Sequence, residues 1–274
     1  MKRKLYTKSG DVGLLEKVDN NGGQFTAEEH AYIVENEYAY MFESKETLLH
    51  YYLSENSQKL SALGFLIKHV YEKQFTHICS LGAGQCVLEY LLKISLPNEV
   101  QVVAADFDTY FIDKARILLP DVIAVEFDFF KDDTSALLIN TGIQFDMVVF
   151  WGSSYVMDDT VFVKLFQQLK EAGIKQIIDF HVDYLNNRDI LRIFYQEFTL
   201  NLYRLAMRIC PTLTKTIVPK IIGRVPLEVY GGKFHGYTRS RDELRRLYKK
   251  AGISSIRELR IPPYNYVAIC DCEK

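Results

Sequence analysis

Four groups in this chain could hold a ligand and its reacting atoms together. They are Gly82-Ala83-Gly84, Asp106, the pair Asp128-Phe129, and Trp151-Gly152-Ser153. Each closes an apolar run, and Asp106 follows Gly84 by 22 residues as Asp128 follows Asp106 by 22. Glycines let a backbone approach a ligand closely, and a helix that starts after them presents free N–H groups and a positive dipole end. An acid about 20 residues further on is placed to grip ribose hydroxyls. An acid beside an aromatic ring, as in Asp128-Phe129, can accept from an adenine amino group while the ring stacks on the base. Proton acceptors come after the fourth and fifth apolar runs: Tyr155, Asp179 and His181, with His235 later.

These groups need strands that end side by side, and the pattern supplies them. Apolar runs at residues 78–81, 100–106, 122–127, 145–150 and 174–180 alternate with helical periodicity at 86–95, 109–118, a stretch reaching 140, and a helix opened by Asp158 or Asp159. Alternating strands and helices imply a parallel sheet with helices on both faces, and continuous apolar runs suit strands buried on both sides. Ligands of such sheets lie at the carboxyl ends of the strands, near the switch in strand order. Gly173 ends the fourth helix as a left-handed cap. Ser240 and Glu243 form a capping box, and the helix they open stops at Gly252. Two strands, 253–261 and 264–270, flank Pro262-Pro263; so short a link requires antiparallel pairing.

Ahead of the first strand, residues 1–25 read as a loose arm. Thr26 and Glu29 form a capping box for a helix, and a further helix fits 57–73, with Leu60, Leu63, Ile67 and Val70 on one face. The expected division is a helical cap at 1–74 and an α/β domain at 75–274, interrupted by a helical insertion at 186–236. Within that insertion, residues 188–224 hold seven basic and two acidic residues, and Phe194, Phe198, Leu202, Leu205 and Ile209 recur at helical spacing. A lid, a packed helix, a membrane-surface element and a homodimer face all remain open.

With 274 residues and 48% of them hydrophobic, the chain can bury a sizeable core. A net charge of -2 provides no global nucleic-acid footprint. No apolar run is long enough to span a bilayer, and the basic N-terminus lacks the apolar segment of a secretory signal. The five cysteines form no paired framework, and Cys270-Asp271-Cys272 lacks the partners of a metal site. A reduced, cytoplasmic protein without metal is expected.

Taken together, the motifs resemble the class I S-adenosylmethionine-dependent methyltransferases from about Phe75 onward. The likeness rests on LGAG after the first strand, AADFD and EFDFF closing the second and third, and FDMVVFWGSSYV as the fourth. LKEAGIKQIIDF and GYTRSRDELRRLYKKAGI resemble the family's approaches to its fifth and sixth strands. The resemblance implies a Rossmann-like seven-stranded, mostly parallel sheet with a C-terminal antiparallel hairpin, helices on both faces and an N-terminal helical cap. It also implies S-adenosylmethionine as cofactor, S-adenosylhomocysteine as product, and in-line methyl transfer to oxygen or nitrogen of a small or medium organic molecule.

By the same resemblance, Ser80, Gly82 and Gly84 lie beside the methionine portion, Asp106 and Phe107 at the ribose, Asp128 and Phe129 at adenine, and Trp151 in the pocket wall. His181 and Tyr155 are the catalytic candidates. Ser80 stands where the family often has an acid, and Cys86 replaces its usual third glycine. A nicotinamide-dependent oxidoreductase and a non-catalytic assembly module are the alternatives. The oxidoreductase reading leaves Asp128-Phe129 and the terminal hairpin without a purpose, and its third glycine would fall at Val87.

Overall fold

A computed structural model describes residues 5–8, 15–18, 39–181, 184–185, 187–209, 237 and 239–272. The expected helix start at Thr26, residue His235 and residues 210–236 of the insertion lie outside the described residues. A short hairpin, β1 (Leu5–Lys8) and β2 (Leu15–Val18), precedes α1 (Lys45–Asn56) and α2 (Leu60–Lys73). Then come β3 (His77–Leu81), α3 (Val87–Ile94), β4 (Gln101–Asp106), α4 (Thr109–Leu118), β5 (Ile123–Glu126) and α5 (Thr134–Thr141). They are followed by β6 (Met147–Trp151), α6 (Asp159–Glu171), β7 (Gln176–His181), β8 (Tyr184–Leu185), α7 (Asn187–Ile209) and β9 (Arg239–Ser240). The remaining elements are α8 (Arg241–Lys250), β10 (Ser255–Ile261) and β11 (Tyr264–Asp271).

Seven strands form one sheet in the order β10-β11-β7-β6-β3-β4-β5. The pairs from β7 to β5 are parallel, and β11 runs antiparallel to both β7 and β10. The chain builds outward from β3 through β4 to β5, then returns to β6 on the other side of β3. That reversal leaves a crevice outside the carboxyl ends of β3 and β6.

Both faces are covered. Ile78, Val102, Met147 and Ile178 face a core shared with α1, α2, α3 and α4. Cys79, Val103, Val148 and Ile177 face a second core with α5, α6 and α8. The two helices ahead of β3 therefore lie against a face of the sheet, where their Leu48, Tyr52, Leu66 and Val70 are buried.

Caps set the helix starts. Asp108, Asp133 and Asp158 each accept from a backbone N–H of the following turn, and Ser240 and Glu243 form the reciprocal box expected from their spacing. The two-residue parallel pair β8–β9 brings together the chain on either side of the insertion. The described side chains Phe194, Phe198, Leu202, Leu205 and Ile209 of α7 are exposed. Among the described residues no helix is long and apolar enough to cross a membrane.

Candidate functional site

The crevice is built by a turn folded over a neighbouring strand end. Gly82 N and Ala83 N both donate to Ala105 O, at 2.8 and 3.2 Å, which bends the chain leaving β3 across the end of β4. Gly82 has φ +72, and a Cβ there would lie 2.4 Å from Cβ of Ser153. Ser153 Oγ in turn donates to Leu81 O, so the loops after β3 and β6 interlock at a contact only glycine permits. Gly84, with φ +54, faces open space. Cys86, where a third glycine was absent from the sequence motif, still adopts φ +59 and caps α3.

Asp106 secures this turn. Its Oδ2 accepts from Gly84 N at 2.7 Å and its Oδ1 from Asp108 N at 3.0 Å. Register pairs Asp106 with Glu126, so Asp128 follows at the end of the adjacent strand. Asp128 accepts from Phe130 N at 2.9 Å and pairs with Lys131 at 2.9 Å. Phe129 is half-buried against Phe130, and Phe107 is exposed. The sheet thus aligns the ends of β3, β4 and β5, and with them Gly82, Gly84, Asp106 and Asp128.

On the face shared with α1 to α4, Trp151 stacks on Phe180 with ring centroids 4.7 Å apart, and Phe180 meets Tyr264 at 5.1 Å. Ser80, also on this face, donates its hydroxyl to Glu89 Oε1 at 2.6 Å. Glu89 belongs to the first turn of α3 and is 1% exposed. Burial pushes its carboxyl up to about 7, against the opposing pull of the Ser80 hydrogen bond. Glu89 Oε2, Trp151 Nε1 and Tyr264 OH are all buried without a hydrogen-bond partner among the described residues.

The opposite face holds a second polar cluster. Asp179, fully buried, accepts from Ser154 Oγ at 2.6 Å and from Tyr248 OH at 2.7 Å. His181 Nε2 lies 3.3 Å from both Ser154 Oγ and Asp179 Oδ2. Burial lowers the His181 pKa, the Asp179 carboxylate pulls it the other way and Arg239 adds to the lowering, so the ring is neutral at pH 7. Its Nδ1 has no hydrogen-bond partner among the described residues, and the residue has no exposed surface. Tyr155, half-buried, accepts at its carbonyl from Tyr237 N at 2.7 Å.

The sequence named the strand-end groups, Ser153 among them, but did not point to Glu89, Tyr264 or Ser154. Glu89 is the lone acid in VLEYLL, a position that reads as the wet side of a helix. Only the small Ser80 opposite it shows that a carboxylate fits inside.

No family model and no curated protein matches the sequence. Solved structures do match in fold. A proposed O-methyltransferase of Nostoc punctiforme superposes with a TM-score of 0.52 at 13% identity, over 82% of this chain and 60% of that one. Human N-acetylserotonin methyltransferase, in complex with S-adenosylmethionine, matches with a TM-score of 0.52 at 14% identity, over 91% of this chain and 63% of that one. The S-adenosylmethionine-dependent methyltransferase SibL matches with a TM-score of 0.51 at 13% identity, over 81% of this chain and 57% of that one. The chain spans about three-fifths of the length of these structures. It has the Rossmann-like methyltransferase fold, with the seven-stranded sheet and antiparallel hairpin expected from its sequence.

Proposed function

We propose that this chain is an S-adenosylmethionine-dependent methyltransferase acting at oxygen or nitrogen of a small or medium organic acceptor. The observation that carries the reading is the alignment of Gly82, Gly84, Asp106 and Asp128 across three adjacent strand ends at the switch point. The residues fit a nucleoside. The turn carries its backbone past the end of β4 with no side chain at Gly84, and a nearly buried acid stands beside it. In this reading Gly82 and Gly84 adjoin the sulfur-bearing arm, Asp106 and Phe107 meet the ribose, and Asp128 and Phe129 meet adenine.

When bound, S-adenosylmethionine supplies an electrophilic methyl group on a sulfonium. The chain's own part is to align the acceptor about 3–3.5 Å from that methyl and to exclude water. Trp151, at the end of β6 and backed by the buried rings of Phe180 and Tyr264, is the aromatic side chain proposed for the pocket wall. Tyr155 is the side chain proposed to meet the acceptor's proton. His181 acts as a positioning residue: wholly buried and neutral, it holds Ser154 and Asp179 beneath the loop that carries Tyr155. The proposed organisation remains a helical cap at 1–74 on an α/β domain at 75–274, with the insertion at 186–236.

Isothermal titration with S-adenosylhomocysteine tests the reading. Asp106→Ala removes charge-assisted hydrogen bonds worth ~1.5–3 kcal/mol, so affinity should fall about 10- to 200-fold. Circular dichroism of the variant separates lost contacts from lost fold. Binding of NADH in place of S-adenosylhomocysteine, or undiminished affinity in the variant, would overturn the proposal.

A further inference from the structure

The exposed apolar face of α7 is long, narrow and symmetric. Leu191, Tyr195, Phe198, Leu202, Leu205 and Ile209 follow one another at alternating spacings of four and three residues. Each is more than half exposed, and so is Phe194 at the edge of the stripe. With 3.6 residues per turn, the six lie within an arc of about 80° around the helix. A helix laid on a core shows an apolar arc of about 100° or more, whereas a stripe confined to two positions in every seven is the seam of paired helices. A helix lying on a membrane opposes its apolar side with a strongly charged one. The described residues that border this seam are Thr199 and Ala206 on one side and Asn201 and Arg208 on the other, with a single charge among them. Seven large side chains exposing on the order of 100 Å² each offer roughly 700 Å², close to the ~800 Å² per partner of a stable interface.

We propose that this face is the docking surface for a second copy of the chain, with the two α7 helices packed antiparallel along the seam. The six positions are symmetric about residue 200. Antiparallel pairing therefore sets Leu191 against Ile209 of the partner subunit, Tyr195 against Leu205 of the partner subunit, and Phe198 against Leu202 of the partner subunit. Two-fold symmetry makes each contact twice, so the stripe is complementary to itself. Each aromatic ring then meets an aliphatic side chain. Parallel pairing would instead stack Tyr195 on its own copy and Phe198 on its own copy, bulky layers alternating with slim ones. Antiparallel pairing also opposes the two helix dipoles head to tail, which is the favourable sense. α7 begins two residues after β8, whose pairing with β9 roots the insertion on the α/β domain, so the seam is presented from a fixed base.

Sedimentation equilibrium of the full chain tests the seam, with Phe198→Glu and Leu202→Lys as variants. Both side chains are exposed in the single chain, so neither charge is forced into its core, and far-ultraviolet circular dichroism checks the fold. The wild type should sediment at twice the mass of one chain. Either variant alone buries unpaired charges at the centre of the seam and should raise the dissociation constant at least about 100-fold. An equimolar mixture of the two variants should regain the dimer, because antiparallel packing brings the new carboxylate of one copy onto the new ammonium of the other. Parallel packing would not bring them together. A wild type that stays monomeric up to about 100 μM would overturn the proposal, and pelleting of that monomer with vesicles of phosphatidylglycerol and phosphatidylcholine would assign the stripe to a membrane instead. A wild-type dimer that both variants leave intact, or a mixture that stays monomeric, would overturn it equally.

Discussion

Gly82 and Gly84 look equivalent in the sequence and are not equivalent in the structure. Both have positive φ, which costs a residue with a Cβ ~1–2 kcal/mol. At Gly84 that is the whole cost, because an added Cβ meets nothing within 4 Å. At Gly82 the Cβ would also overlap Ser153, so either the loop after β6 or the turn after β3 must move. Gly82→Ala should therefore shift the urea midpoint further than Gly84→Ala, and Ser153→Gly should recover part of the loss in Gly82→Ala only. Equal shifts for the two alanine variants would show that the loops do not interlock. The need for glycine was readable from the motif. The identity of the neighbour that imposes it was not, because Ser153 lies on another strand end.

The elements were more legible than the side chains they carry. Asp158, and Ser240 with Glu243, announce helix starts because a cap acts within one turn and its partner is close in sequence. Ser240→Ala removes the acceptor for Glu243 N at the start of α8, whose Leu244, Leu247 and Tyr248 pack in the core. It should lower stability by ~0.5–2 kcal/mol by chemical denaturation, a larger loss than for the exposed Ser54→Ala. Which face a strand residue takes was not legible where both faces are buried. The strand ending in Trp151 is apolar throughout, so nothing in it says which of two buried faces Trp151 takes, and the strand ending in His181 is buried along its whole length, so its Asp179 and His181 turn to an interior face and not to solvent. The position of His181 at the end of β7 suggested a reactive base, whereas the residue has no exposed surface and its Nε2 faces Ser154 and Asp179 with the Tyr266 ring nearby. The apolar residues of α7 show the same limit: helical spacing identifies a stripe, and only the structure shows that it is exposed.

For the molecule as a whole, the buried ionisable groups set how stability varies with pH. Glu89 has a folded pKa raised to about 7, above the ordinary glutamate value of about 4.3. Its proton is kept in the folded state and lost from the unfolded one, so stability is lost as pH rises from about 4 to about 7 and stays lost above. Glu89→Gln removes that dependence. With no ligand present, its melting temperature should exceed that of the wild type at pH 8, and the gap should shrink towards pH 5. A pH-independent gap would show that the carboxyl is not perturbed in the folded chain. His69 and His181, both lowered mainly by burial, act in the opposite direction: stability falls as pH drops below their ordinary value near 6.5.

The strand order carries one more consequence, for synthesis. β10 leaves the ribosome before β11 yet sits outside it, and β11 alone joins it to β7. As the chain emerges, β3 to β7 can assemble vectorially, but β10 has no docked neighbour until a later segment slots in beside β7. The nascent sheet must wait with an open flank, and that interval is when a holding chaperone would matter most to this protein.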